Sequence, residues 1–370
     1  MDGLSENREA IAGVDEEMAR LFEKRMRLCA GVAEYKKEHG IPVKDRARED
    51  FLIGKNRKLI EDPLLEEYYV DFLKGMMDIS CRYQERLLSG MKAAYSGVEG
   101  SFAYIAAKTM FPGAALICKN SFSQAYRSVE QGECDCAVLP LENSYAGEVN
   151  TVMDLAFSGE LFVNKVIDLP VRHCLLGVQG SRREDIRTVI SHPQALLQCS
   201  DYIENHGYVT KEFGNTALAA KSVKETGDRS LAAIASRETA GLLGLDILDE
   251  NIQDSGVNTT RFAVFSRAAD ANKASSRKDE ESFILVFTVK NEAGALAQTL
   301  NIIGAHGDNM KSLRSRPMKE LLWNYYFFIE AEGNVNSVNG QDMLKELSAI
   351  CARLKRVGSY QTFRFDGKEV

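Results

Sequence analysis

The sequence predicts a multidomain protein in which an all-α unit is followed by an α/β unit and then a small α+β unit. Three observations carry this. From about residue 7 to residue 88 apolar positions recur at helical spacing with almost no strand signal. After Tyr95, short apolar runs (AALIC, CAVLPL, HCLLGV, RTVIS, LAAIAS, RFAVFS) alternate with helical stretches for roughly 170 residues. Beyond the polar run 268–280 the order becomes strand, helix, strand, strand, helix, strand. The expected boundaries are 1–90, 91–268 and 281–370. A chain of 370 residues, at roughly 150 per domain, can bury several cores without metals or disulfides.

Composition excludes several classes. With 46 Lys+Arg against 53 Asp+Glu the net charge is -7, the wrong sign for a general nucleic-acid binder. Eight scattered cysteines without a CxxC and five dispersed histidines indicate neither a disulfide framework nor a zinc site. Reduced thiols and a cytoplasmic location are expected. The start, MDGLSENREA, is polar and acidic where a signal peptide needs a basic and then an apolar stretch. No apolar run approaches membrane-spanning length, so no membrane association is expected.

In the first helix the stripe Ile11, Val14, Met18, Leu21/Phe22, Cys29, Val32 follows the 3.6 period and is expected to be buried. Arg8, Arg25 and Lys36 fall on that same stripe. Arg25 and Lys36, eleven residues apart, project within about 20° of one another. In the last helix of this unit Val70, Leu73, Met77 and Leu87 mark the inner face, and Ser80 and Gln84 interrupt it one turn apart. Any one of these could be a snorkelling cation or a satisfied core polar group. Together they describe a cationic pocket in an acidic protein, suited to a small polyanion.

Taken with Asp45-Arg46-Ala47-Arg48-Glu49, these residues resemble, in order, the all-helical chorismate mutases. The resemblance implies rearrangement of chorismate to prephenate, which requires a held conformer and a stabilised ether oxygen rather than a nucleophile. By it Arg8, Arg25 and Arg48 would grip the two carboxylates, and Lys36 and Gln84 would meet the ether oxygen. Asp45 and Glu49 would address the ring hydroxyl, with Ser80 lining the pocket. It also implies an intertwined dimer in which Arg8 comes from the other protomer.

In the second unit four helices are expected to start from capping residues placed directly after strands: Ser144, Ser191 (with Pro193 and Gln194), Asn215 and Ser236. Helix amino termini at the carboxyl edge of a sheet make an anion site. The segments Leu139-Pro140-Leu141-Glu142-Asn143-Ser144, Ser191-His192-Pro193-Gln194 with Gln198-Cys199, and Asn258-Thr259-Thr260-Arg261-Phe262 resemble the signatures of prephenate dehydratases. That resemblance implies two α/β lobes, similar to periplasmic binding proteins, with the site in the cleft. Thr260 would donate to the departing hydroxyl as the ring carboxylate leaves. Arg261 would orient a substrate carboxylate or hold the site's shape, Asn143, Ser144, Ser191 and Gln198 would add neutral hydrogen bonds, and Phe262 would border the substrate. The stretch Tyr95-Ser96-Gly97-Val98-Glu99-Gly100-Ser101-Phe102-Ala103 departs from the family by lacking its Pro and its final Ser.

The last unit has a ferredoxin-like order. Gly294-Ala295-Leu296 and Ser315-Arg316-Pro317 resemble the two ligand motifs of amino-acid-binding ACT domains, which implies phenylalanine as effector. Arg314 stands where that family usually has Glu, and is expected to point to solvent. No cofactor or metal is implied. The expectation is a bifunctional mutase and dehydratase acting as a homodimer or higher homo-oligomer. The alternatives are a non-catalytic sensor of aromatic metabolites, or a mutase joined to an arogenate dehydratase.

Overall fold

The computed structural model describes residues 3–269, 281–318 and 325–364. Most of the expected linker 268–280, and the start of the strand expected at Trp323, lie outside the described residues. The chain divides once, into Met1–Met91 and Lys92–Val370.

The first unit is α1 (Gly3–Glu38), α2 (Arg46–Asn56) and α3 (Pro63–Ser89). Asp45 caps α2 by accepting from the Arg48 amide, and Asp62 caps α3 ahead of Pro63, whose missing N–H costs nothing in a first turn. The α1 face buried within this unit is narrower than the periodic stripe. Met26 and Ala33 are buried against the face of α3 that carries Leu73 and Met77, whereas Leu87 is exposed. The stripe residues Ile11, Val14, Met18 and Leu21 are 44–65% exposed. Every residue from 3 to 24 is exposed, and the contact of α1 with α3 begins with the Arg25–Ser80 hydrogen bond in the second half of the helix.

The second unit begins with β1 (Lys92–Ser96), α4 (Phe102–Met110), β2 (Ala115–Lys119), α5 (Phe122–Glu130), β3 (Cys136–Asn143), β4 (Gly147–Glu148), α6 (Asn150–Ser158) and β5 (Phe162–Pro170). A second sheet follows, in β6 (Cys174–Gly177), β7 (Thr188–Ser191), α7 (Pro193–Leu197), α8 (Ser200–His206) and β8 (Val209–Glu212). It is completed by α9 (Thr216–Thr226), β9 (Leu231–Ala235), α10 (Arg237–Leu243) and β10 (Asp246–Glu250), in the order β10-β6-β9-β7-β8. The chain then returns to the first sheet as β11 (Thr259–Ser266). It thus passes between the sheets twice, before β6 and after β10.

The remaining elements are β12 (Glu281–Thr288), α11 (Ala295–Ala305), β13 (Asn309–Pro317), β14 (Tyr325–Glu332), α12 (Val338–Ile350) and β15 (Arg353–Arg364). Where the sequence predicts a third unit set apart, these strands extend the first sheet: β15 pairs in parallel with β5, giving the path β13-β14-β12-β15-β5-β11-β3-β1-β2. The cores merge as well, since Tyr326, Phe328 and Tyr360 belong to the same buried cluster as Tyr126, Leu139 and Phe265. The helix α6 is held by the added strands: Asp154 accepts from Arg316 (3.1 Å) and Tyr326 (2.7 Å), and Phe157 stacks on Tyr326. Lys355 donates to the Ala156 and Gly159 carbonyls at the helix end, and burial pushes its pKa down.

One irregularity matters for the site. Pro140 lies in the middle of β3, where it cannot donate to a ladder. The β11 register slips there, Phe262 opposing Pro140 while Arg261 opposes Glu142. This bulge sets the strand ends so that Thr260 faces Asn143. Among the described residues no helix is long and apolar enough to cross a membrane.

Candidate functional site

In the helical unit the polar residues of α1, α2 and α3 converge. Arg25 donates to the Ser80 hydroxyl, which itself donates to the Met76 carbonyl at 2.6 Å. Gln84 Nε2 donates to the Ser80 carbonyl (3.2 Å), leaving its buried Oε1 without a partner among the described residues. Lys36 Nζ reaches the Val43 carbonyl at 2.5 Å. Glu49 lies 3.7 Å from the Cys81 thiol, whose pKa is pushed up by burial and then by the Glu49 charge. Arg48 is exposed beside Phe51, and Asp45 is occupied as the α2 cap. Arg8 stands apart: seventeen residues of helix put it about 25 Å along the axis from Arg25.

In the second unit the ends of β3 and β11 form a polar knot. Asn143 Nδ2 donates to Thr260 Oγ1 (2.8 Å) and Asn258 Oδ1 (2.9 Å), while Asn143 Oδ1 accepts from the Tyr145 and Ala146 amides. With both ends of its amide engaged, Asn143 has one orientation. It occupies an acceptor site of the Thr260 hydroxyl and leaves the O–H free to donate outward. Ser144 is no helix cap, since α6 starts at Asn150. It locks the two loops together instead, donating to the Val257 carbonyl (3.1 Å) and accepting from the Thr259 amide (3.0 Å).

Ser191 also differs from its expected role. It is fully buried at the end of β7 and donates to the Ile234 carbonyl at 2.6 Å, and His192, not Ser191, caps α7. A serine that ends a buried strand has a neighbouring carbonyl closer than any helix amide. Asn215 and Ser236 do cap α9 and α10. Gln198 is 6% exposed, and its Oε1 lies 2.9 Å from His173 Nε2. His173, which pattern reading passes over, begins the run after the first crossover and packs its ring edge against Phe102. Phe262 is 2% exposed and belongs to the buried core.

The loop that departs from the family is ordered by its own caps. Ser101 accepts from the Tyr104 amide, and Thr239 of α10 donates to the Gly100 carbonyl at 2.9 Å, joining the two sheets' helices. Gly100 has φ +88, and a Cβ there would meet Thr239 Oγ1 at 3.1 Å. A cavity of about 1160 Å³ opens nearby, lined by Phe102, Lys108, Arg172, Arg237 and Glu250. None of the expected dehydratase residues lines it.

Arg314 carries the largest correction, whereas the contacts of Arg261 fit the second of its two expected roles, holding the site's shape. Arg261 Nε donates to Asp168 Oδ1 (3.0 Å), and its NH1 donates to both oxygens of Glu330 (3.1 Å each). Burial disfavours the cation, yet Asp168 and Glu330 outweigh it and hold the guanidinium pKa above its ordinary value. Arg261 is therefore tied down by carboxylates of this chain. Arg314 does not point to solvent: it pairs with Glu142 (2.8 Å) and Glu148 (2.5 Å), its side chain 13% exposed. Glu142 and Glu148 face each other across β3 and β4, a like-charge pair that needs such a cation. Arg316 is engaged with Asp154. Gly294, Ala295 and Leu296 open α11, with Gly294 at φ +84, and Ser315 and Pro317 end β13 at the same edge of the sheet.

Comparison with known proteins agrees with this layout. The chorismate mutase type II family model matches residues 7–85, and the prephenate dehydratase model matches residues 93–270. The bifunctional chorismate mutase/prephenate dehydratase of Aquifex aeolicus is 31% identical over 97% of this chain and 98% of its own. Arogenate dehydratase/prephenate dehydratase 1 of Arabidopsis thaliana is 32% identical over 74% of this chain and 72% of its own. Among solved structures, a prephenate dehydratase from Arthrobacter aurescens in complex with L-Phe is 28% identical. It superposes with a TM-score of 0.67 over 73% of this chain and 90% of that one. The convergent cations of the helical unit, the Asn143–Thr260 knot and full-length likeness to two-activity relatives place this chain in the bifunctional chorismate mutase/prephenate dehydratase family.

Proposed function

We propose that the two reactions, rearrangement of chorismate to prephenate and conversion of prephenate to phenylpyruvate, run on the two residue sets described above. In the helical unit Arg25 and Arg48 bind the carboxylates, Lys36 and Gln84 meet the ether oxygen, and Asp45, Glu49 and Ser80 complete the pocket. Arg8 joins from a second copy of the chain. The exposed apolar stripe of α1, about 33 Å long over residues 3–24, supports a homodimer in which it is covered.

The observation that carries the dehydratase assignment is the 2.8 Å contact from Asn143 Nδ2 to Thr260 Oγ1. As CO2 leaves, the electron pair of its bond enters the ring, the C–OH bond breaks, and the departing hydroxide takes a proton from solvent, relayed through water, to become water. Thr260 donates a hydrogen bond to that hydroxyl, and Asn143 fixes the direction of the donor. Neutral donors suit this step, because a cation gripping the ring carboxylate would stabilise the ground state more than the transition state.

The segment from Glu281 is read as an ACT domain of ferredoxin-like order, with phenylalanine bound near Gly294-Ala295-Leu296 and Ser315-Arg316-Pro317. The L-Phe complex of the Arthrobacter relative supports this reading. A cytoplasmic location completes the proposal. The test is to feed chorismate to the purified protein and identify the product. Phenylpyruvate supports the assignment, accumulation of prephenate alone removes the dehydratase, and phenylalanine formed only from arogenate reassigns the second substrate.

A further inference from the structure

The catalytic strands carry different chemistry on their two faces. Side chains alternate along a strand, and cross-strand partners share a face. Thr260, Asn143 and Leu169 are register partners and share one face. Arg261, Glu142 and Asp168 are the next row and share the other. On that second face the central member of the row, Arg261, and one outer member, Glu142, are matched by charges from the strands after Glu281. Glu330 of β14 accepts from NH1 of Arg261 with both carboxylate oxygens, and Arg314 of β13 takes Glu142 together with Glu148. Glu330 is 2% exposed and is itself held by the Tyr360 hydroxyl at 2.7 Å, so its clamp is no loose surface pair, and Arg314 is 13% exposed between its two carboxylates.

We propose that Glu330 and Arg314 are positioning residues for dehydration: acting through Arg261 and Glu142, they hold the ends of β11 and β3 in the register that sets Asn143 against Thr260. This rests on the reading of Thr260 as the donor. It gives the reversed charge at position 314 a purpose, since a carboxylate there would face two others. It also makes the dehydratase site depend on the strands after Glu281 being docked, whatever ligand those strands bind.

The test uses the full-length protein, assayed for prephenate turnover with Glu330→Gln, Arg314→Gln, Arg261→Lys and the double variant Glu330→Gln/Arg261→Lys. Chorismate turnover and thermal melting are followed in the same preparations. Each single clamp variant is expected to lower kcat about tenfold or more with KM within about twofold of the parent. Glu330→Gln should add little to Arg261→Lys, because both act through one guanidinium. Amide exchange is expected to quicken in peptides covering 138–146 and 257–263, a readout independent of turnover. If both clamp variants keep the parental kcat while Thr260→Ala is inactive, the clamp is overturned and the donor reading stands. If Thr260→Ala is fully active, the donor reading falls and the purpose assigned to the clamp falls with it. Should Glu330→Gln not melt as a folded protein, Arg314→Lys carries the test: it keeps the charge and loses the fork, and an undiminished kcat refutes the proposal.

Discussion

His173 Nε2 lies 2.9 Å from Gln198 Oε1, with both side chains closed off from solvent and His173 Nδ1 left without a partner among the described residues. Because the amide oxygen accepts, Nε2 must carry the proton, and a second proton on Nδ1 would be buried and unpaired. This couples the folded state to pH. Burial lowers the folded imidazole pKa below its ordinary value, so the unfolded chain binds the proton more readily.

The first prediction follows from that sign. The stabilising contribution is complete above about pH 6.5, the unfolded value, and is lost as pH falls through it toward the lower folded value, by up to about 1.4 kcal/mol per pH unit. His306, whose pKa is raised by Asn339 and then Glu346, slopes the other way, so the test is a difference. Denaturant unfolding of the parent and of His173→Gln is compared from pH 8 to pH 5. The parent should lose more stability; parallel curves would refute the assignment.

The two activities should separate by mutation, because they rest on residues in two different units. Arg25→Ala or Lys36→Ala is expected to reduce chorismate turnover about 10²–10³-fold, the usual cost of one transition-state charge partner, and to spare prephenate turnover. Near-normal mutase activity in Lys36→Ala would demote that lysine to a tie between α1 and the Val43 carbonyl.

Thr260→Ala should stop prephenate conversion while prephenate still binds, since the hydroxyl serves the leaving group more than affinity. Thr260→Ser restores the donor and should recover part of the rate, with freer rotation limiting it. The check is kcat and KM for all three proteins. A loss confined to KM would make Thr260 a binding residue.

Phenylalanine should inhibit the dehydratase and shift its melting temperature, since an effector must bind two states unequally. Arg314→Glu should do more than alter this inhibition. It would set three carboxylates together at positions 142, 148 and 314, and is expected to destabilise the second unit by about 3 kcal/mol and to lower the uninhibited rate. A titration of rate and melting temperature checks both statements, and an unchanged basal rate in Arg314→Glu would contradict the second.

The helical spacing of Arg25 and Lys36, the caps Asn215 and Ser236, the strand runs and the strand–helix order after Glu281 were all readable from the chain, because each depends on neighbours a few residues away. The motifs around Asn143, Gln198 and Thr260 were readable because, in order, they resemble those of the prephenate dehydratases. What only the tertiary structure decided is where long side chains end. Most of the α1 stripe stays uncovered within the unit, Cys29 alone of its named residues being half-buried, which no local period reveals. Ser191 turns to Ile234 because a strand from another segment lies beside it. Arg261 and Arg314 find Glu330 and Glu142 across about 70 and 170 residues of chain, because β15 closes onto β5 and joins the strands after Glu281 to the first sheet. Charge partners carry no sequence period, so the ion pairs that frame the dehydratase strands were invisible until the sheet was assembled.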